Sequence, residues 1–335
     1  MPASRCALLA VLCVFYLEQG TASDLITTIA ALHETALGGC KSRGLSAADC
    51  ALEIQRVAEL PSGGLVAMPR RIVTVELSLC AVALNIEGDF VETGVYTGGT
   101  LVLMMNVLQR FGSLKQRTWA ADSFQGLPEP VDQDIQAVEE TEGEFRRSSS
   151  HPGKKGRYAS TLKAVYSNLR RNKIEYSGEH LTVLKGWFTD TLPKAPIEKI
   201  AFLRLDGDMY ISTIQPLEAL YDKVTVGGFI YVDDYGSFAG CKRAVDEFRA
   251  KRGITEEMVL VAERGNTFEA VFWQKRHPNL HVSPTKRLPN GGELEYIQTI
   301  QGVVARGSVH ESAGVRALLE RGRERGGDDV SSLQI

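Results

Sequence analysis

GDFVETGVYTGG, residues 88–99, decides how the rest of this chain is read. An apolar run reaches an acid at Glu92, and Gly94, Gly98 and Gly99 then turn the chain into a helical pattern near Thr100. A strand, a glycine turn and a helix N-terminus in that order let backbone N–H groups approach a ligand closely. The spacing is not GxGxxG, because Val95 and Tyr96 occupy its centre, which weakens a dinucleotide reading. Glu92, Thr93, Gly94, Tyr96, Gly98, Gly99 and Thr100 are therefore the candidate contacts for some other nucleotide-like ligand.

Outward from that turn, strand and helix patterns alternate for nearly two hundred residues. TLVLMMNVLQRF reads as a helix, TWAADS as a strand, STLKAVYSNLRR as a helix, and LTVLKG and KIAFLRLD as strands. STIQPLEALYDK, GFIYVDD and CKRAVDEFRAKRG continue as helix, strand and helix. Alternation of this kind predicts a doubly wound, mainly parallel sheet covered by helices on both faces. MVLVAE and FEAVFWQK, joined by Arg264-Gly265-Asn266, predict a terminal hairpin that makes the last strand antiparallel. Before the turn, residues 24–75 read as a helical extension broken at Gly38-Gly39, with Ser46 as N-cap of its second piece. The main domain is expected over 76–277. Residues 278–335 are polar and Gly-rich and read as a loosely ordered tail with one short helix at most.

The bulk properties exclude some partners. With 38 basic and 41 acidic residues the net charge is −3, so no electrostatic footprint for nucleic acid or an anionic membrane exists. Residues 1–23 combine Arg5, an apolar stretch from Ala7 to Leu17, and the small residues Thr21, Ala22 and Ser23. That order predicts a cleaved secretory signal peptide and a secretory address, with organelle targeting or a membrane anchor as alternatives. Cys40 and Cys50 flank a short polar loop and could pair in an oxidising lumen, whereas Cys80 and Cys241 read as buried thiols. No Cys/His spacing suits structural zinc.

Ligands of doubly wound sheets bind at the carboxyl ends of the strands. Glu92, Asp122, Asp206 and the Asp233–Asp234 pair all fall at such ends. Asp122, with Ser123 after it, sits where a carboxylate grips a ribose diol; capping the following loop is its alternative role. Asp206 and the Asp233–Asp234 pair end strands expected to be neighbours, roughly 4.8 Å apart, so their side chains can converge on one hard cation such as magnesium. Packing these like charges at one edge without a cation would be unfavourable. Asp208 is expected to cap the helix at Tyr210. The charged segment from Val131 to Tyr158 reads as a lid or a disordered insertion, with His151 a solvated side chain within it. Trp187 and Phe188 read as core packing, with flanking of an adenine as the alternative.

GDFVETGVYTGGT, ADSFQGLPEP, the long block from LKGWFTDTLPKAP to YVDDYG, and CKRAVDEFRAKRGI resemble the macrocin O-methyltransferase (TylF-type) family over roughly Val66 to Lys275. The resemblance implies a class I, Rossmann-like methyltransferase fold with a seven-stranded sheet. It implies S-adenosylmethionine and magnesium as cofactors and a small-molecule hydroxyl, sugar-like or a vicinal diol, as acceptor. It carries Glu92 and Gly94 into the cofactor turn and Asp122 and Ser123 to the adenosine. It matches Asp206, Asp233 and Asp234 to the family's metal acids, and a metal-bound carboxylate such as Asp206 is then expected to act as the catalytic base. Two other readings stay open: a metal-dependent glycosyltransferase using Asp206-Gly207-Asp208, and a non-catalytic protein that keeps the fold. Self-association is left open.

Overall fold

The computed structural model describes residues 34–36, 38, 40, 44–112, 116–140, 153–262, 268–278, 281–287, 293–299 and 302–307. The expected signal segment, His151 and the Arg264-Gly265-Asn266 turn lie outside them. Helices α1 (Ala47–Ala58) and α2 (Met68–Ala83) precede β1 (Asp89–Thr93), α3 (Gly99–Phe111) and β2 (Thr118–Asp122). Then follow α4 (Asp132–Glu140), α5 (Leu162–Arg171), β3 (Leu181–Lys185), the single turn α6 (Phe188–Thr191), β4 (Ile200–Leu205) and α7 (Tyr210–Leu220). β5 (Val224–Val232), α8 (Ala239–Arg252), β6 (Val259–Ala262) and β7 (Phe268–Gln274) complete the first compact unit, which ends at His277.

The sheet has seven strands in the order β3-β2-β1-β4-β5-β7-β6. The pairs from β3 through β5 are parallel, and β7 runs antiparallel to both β5 and β6. The order reverses direction between β1 and β4, which makes the topological switch point of a doubly wound fold. All six residues of β4 are buried, as a central strand covered on both faces requires. Alternate side chains go to opposite layers. Phe90, Phe202 and Phe229 join Ile54, Leu77 and Leu103 on one face, with the Phe90 and Phe202 rings edge to face at 5.7 Å. Val91, Leu203 and Ile230 join Leu217, Val245 and Phe248 on the other.

The N-terminal helices belong to this same unit, and α2 runs through the expected boundary at residue 75. Ser46 caps α1 as expected, its hydroxyl accepting from the Asp49 amide at 3.1 Å. The Arg71 guanidinium donates to the carbonyls of Ala58 and Leu60, 2.5 Å each, and so closes the C-terminal end of α1 against α2. Cys40 and Cys50 are disulfide-bonded, with Cα atoms 5.7 Å apart, while Cys80 and Cys241 are buried thiols.

The second unit, from Pro278 onward, departs from the expected loosely ordered tail. It contains β8 (His281–Arg287), β9 (Glu293–Thr299) and β10 (Gly302–Gly307), paired antiparallel as a three-stranded meander. ELEY alternates polar and apolar residues and GVVARG holds a run of three apolar ones, weak strand signals that the surrounding glycines obscure.

The disulfide joins residues ten apart, so it restricts a short loop of the unfolded chain by about 3 kcal/mol. Denaturation in the presence of a thiol reductant is expected to show a loss of stability of that size. An unchanged midpoint would mean that the bond is not formed in the native protein.

Candidate functional site

The carboxyl ends of β1, β2, β4 and β5 open into one cleft of about 550 Å³, a volume suited to a small organic ligand. Gly94, Tyr96, Gly99, Thr100, Asp122 and Ser123 line one side of it, and Asp206, Asp233 and Asp234 another. Glu92, Thr93 and Gly98 do not face it. Glu92 and Thr93 are fully buried, and Gly98 is the left-handed N-cap of α3.

Gly94 does more than leave room for a ligand. Its φ is +82°, and a Cβ there would lie 1.6 Å from the Asp206 carbonyl oxygen. The Asp206 amide in turn donates to the Thr93 carbonyl at 2.8 Å. The glycine therefore fixes how closely the ends of β1 and β4 approach, and any side chain at residue 94 would displace Asp206 itself. Gly99 plays the same part toward the N-terminal segment, since a Cβ there would lie 2.7 Å from the Gly64 Cα.

Asp122 holds the turn. Its Oδ2 accepts from the amides of Val95 and Tyr96, at 2.7 and 2.9 Å, and its Oδ1 accepts from Phe124 at 2.6 Å. Both oxygens are thus used by backbone, the loop-capping role, although a carboxylate has about four lone-pair sites and the residue still faces the cleft. The Ser123 hydroxyl accepts from the Gln125 amide at 3.0 Å and stands beside it on the wall.

The acids of β4 and β5 are organised by a residue that the strand-end reasoning missed, Arg204. Its guanidinium, with no exposed surface, donates to Glu92 at 3.2 Å, to Asp206 at 2.6 Å and to Asp233 at 2.6 Å. Its Cζ lies 5.2 Å from the Tyr231 ring centroid, and the Tyr231 hydroxyl donates to Asp233 at 3.1 Å. The signal was present in KIAFLRLD: a cation inside an apolar strand must be paired with carboxylates when buried. Glu92 also accepts from the Thr100 hydroxyl, which connects the acid cluster to the first turn of α3. Arg70, from the start of α2, pairs with the remaining oxygen of Asp233.

Among the described residues, ligand oxygens of Asp206, Asp233 and Asp234 lie within 4.8 Å of one another. Oxygens on a magnesium ion are about 2.9 Å apart when adjacent and about 4.2 Å apart when opposite, so the three side chains would draw together around one. Its hard oxygen donors suit such a cation. Charge favours one too, because five carboxylates (Glu92, Asp206, Asp208, Asp233 and Asp234) meet three guanidinium groups, Arg70, Arg204 and, beside Asp208, Arg157. Burial, then repulsion from the neighbouring acids, raises Asp206 above the ordinary carboxylate range, and Asp208 and Asp234 well above it.

Two expectations about side chains are corrected here. Asp208 does not cap α7; it sits at φ +61° with its amide donating to Asp234 at 3.1 Å, and its side chain faces the cleft. The cap comes from Asp134 in α4, whose Oδ1 accepts from the Tyr210 amide at 2.7 Å. No local sequence pattern announces a cap supplied from 76 residues away. Trp187 is not core; it is 37 % exposed and lines the cleft, while Phe188 both lines the cleft and packs on the core. Within the expected lid, residues 132–140 form α4, and 141–152 lie outside the described residues.

A doubly wound seven-stranded sheet of this order, with a glycine turn after β1 and an acid after β2, defines a class I methyltransferase. The model of the family described as Macrocin-O-methyltransferase (TylF) matches residues 66–275, well over half of the chain. The chain belongs to that family and is an S-adenosylmethionine-dependent O-methyltransferase. It is 42% identical over 193 residues to demethyldecarbamoylnovobiocin O-methyltransferase of Streptomyces niveus, covering 57% of this chain and 67% of that protein. Mycinamicin III 3''-O-methyltransferase of Micromonospora griseorubida is 33% identical over 193 residues, 57% and 70% of the two chains. The solved structure of the O-methyltransferase NovP superposes with a TM-score of 0.57 at 29% identity, covering 68% of this chain and 99% of that one. Family membership displaces the glycosyltransferase reading of Asp206-Gly207-Asp208.

Burial pushes the Glu92 carboxyl up to about 7, with Arg204 and the Thr100 hydroxyl pulling it back. For an acid raised in the folded state, the stabilisation is complete below its unfolded value and is lost as pH rises through the folded one. The stability of the metal-free protein relative to Glu92→Gln is therefore expected to fall by about 3 kcal/mol between about pH 4 and pH 8. Denaturant titrations of the two proteins across that range check it; a pH-independent difference would show that Glu92 stays ionised.

Proposed function

We propose that this enzyme methylates a hydroxyl of a sugar-like or vicinal-diol acceptor and that the reaction requires magnesium. The observation that carries the reading is the convergence of Asp206, Asp233 and Asp234 on the cleft that also contains the glycine turn. Relatives named as methylating novobiocin, tetracenomycin and mycinamicin intermediates support a small hydroxylated acceptor.

Bound S-adenosylmethionine supplies an electrophilic sulfonium methyl. Gly94 and Gly99 leave backbone bare on that side, Thr100 lies in the first turn of the helix whose N-terminus faces it, and spare lone pairs of Asp122 accept from the ribose hydroxyls. Asp206, Asp233 and Asp234 would hold a magnesium ion, which would orient two acceptor oxygens and lower the pKa of the one to be methylated. Asp206 takes the proton. Arg204 holds its Oδ2 so that the group stays aimed into the cleft. Trp187, Phe188 and Tyr158 form apolar walls against which the body of an acceptor can lie, excluding water from the reacting oxygen.

We also place the chain in the secretory pathway, on the order of charges and apolar residues in residues 1–23 and the Cys40–Cys50 disulfide. Among the described residues no helix is long and apolar enough to cross a membrane. Sequencing the amino terminus of the protein from its own cells should then find a start near Ser23 or Asp24, and soluble protein beginning at Met1 would contradict the address.

Methyl transfer from labelled S-adenosylmethionine to a panel of diols tests the chemistry. Chelator-treated enzyme should be inactive and recover with added magnesium, and Asp206→Asn should lose at least about 100-fold in kcat while binding S-adenosylmethionine within a fewfold of the wild type. Full turnover in chelated enzyme, or wild-type rates from the variant, would sink the metal and base assignments.

A further inference from the structure

The acid cluster and glycine turn leave one charge of the cofactor without an obvious partner. The methionine end of S-adenosylmethionine carries an ammonium and a carboxylate. Acids are plentiful on the cleft wall: Asp122, Asp206, Asp208, Asp233, Asp234 and Glu269. A carboxylate entering such a wall is repelled unless a cation meets it. Among the described residues that line the cleft, Arg70 is the one cation. Arg204 is close by in the cluster, but its guanidinium has no exposed surface and lies behind the carboxylates it binds.

Arg70 is placed with care by the segment before it. The loop from Pro61 to Val66 is strapped over the glycine turn: the Asn168 amide donates to the carbonyls of Ser62 and Thr97, and the Thr97 hydroxyl donates to the Gly63 carbonyl at 3.1 Å. Gly64 rests on Gly99, and Gly64, Leu65 and Val66 line the cleft beside Gly94 and Thr100. The chain then enters α2, and Arg70 in its first turn reaches Asp233 with a side chain only 11 % exposed. A long cationic side chain held this far from water, at the mouth of a turn that receives the cofactor, is not a solvated surface charge.

We propose that Arg70 is the counter-ion of the methionine carboxylate of S-adenosylmethionine, an inference that rests on the cleft being the cofactor site. A guanidinium has five N–H donors and can serve more than one carboxylate, as Arg204 does in this same cluster with three. Arg70 keeps Asp233 and meets the ligand carboxylate with its planar fork, the geometry in which arginine binds carboxylates best. The residue thereby bridges the cofactor and the acids proposed to hold the metal.

Decarboxylated S-adenosylmethionine isolates the interaction, because it differs from the cofactor by that carboxylate alone. Calorimetric titration of wild type, Arg70→Gln and Arg70→Lys would use S-adenosylmethionine, its decarboxylated form and 5′-methylthioadenosine, which lacks the whole amino-acid end. The wild type should bind S-adenosylmethionine about 10- to 100-fold more tightly than the decarboxylated form, the range for a charge-assisted hydrogen bond. Arg70→Gln should lose that preference and bind methylthioadenosine as the wild type does, and Arg70→Lys should keep part of it. A preference undiminished in Arg70→Gln, or a parallel fall for all three ligands, would overturn the carboxylate assignment. If the wild type bound none of the three, the cofactor site itself would be wrong, and the assignment would fall with it.

Discussion

The guanidinium of Arg204 is the constraint around which this molecule is arranged. It is buried in the central strand β4 and touches acids from β1, β4 and β5 at once. A cation enclosed this way needs carboxylates fixed in place, and carboxylates enclosed this way need a cation. Removing one partner of such a buried pair costs about 3–5 kcal/mol, because the charge left behind has nowhere to go. The three strand ends are consequently held in one register. The turn after β1, the acid after β4 and the acids after β5 cannot drift apart without separating buried charges.

Beyond that centre the excess of negative charge is deliberate in its placement. Glu92 stands furthest from solvent, and burial raises it to about 7. Asp206 and Asp208 are the partly exposed members, and of the two Asp206, with 22 % of its side chain accessible, also pairs with Arg204. The Thr100 hydroxyl and the Gly94 backbone connect this cluster to the glycine turn through one hydrogen bond and one close approach of backbone. The proposed cofactor and acceptor sites therefore share a wall rather than lying side by side. A displacement of the acids is felt in the glycine turn, since Gly94 has no space to yield.

Much of the site was legible because parallel strands end at one edge and acids there stand out against apolar runs. Asp206 and the Asp233–Asp234 pair follow KIAFLRL and GFIYV, and the structure brings them together on neighbouring strands. Glu92 was legible as a residue of consequence but not in its position, since whether a strand-end acid faces the cleft or the interior depends on the pleat and on what lies beneath. Asp122 was read as a ligand contact with loop capping as the alternative, and the structure gives it three backbone amides to hold. Asp134 and Arg70 were invisible. Each acts on a partner far away in sequence, 76 residues for the Tyr210 amide and 163 for Asp233, and nothing local marks such a pairing.

By itself the sequence determined the class of fold, through alternating strand and helix periods. It also determined the antiparallel end of the sheet, through two apolar runs on either side of Arg264-Gly265-Asn266, and the edge at which the acids gather. These follow from periodicities of 2 and 3.6 residues and from the low tolerance of strands for charge, both local properties. Only the tertiary structure decided which charge meets which. It gave Arg204 its three carboxylates, sent Asp208 into the cleft instead of onto a helix end, and put Trp187 on a wall instead of in the core. It also folded the N-terminal helices into the main unit and paired β8, β9 and β10 as a small sheet. Ion pairs, caps and packing depend on distances between segments remote in the chain, and those distances are fixed only when the layers close on one another.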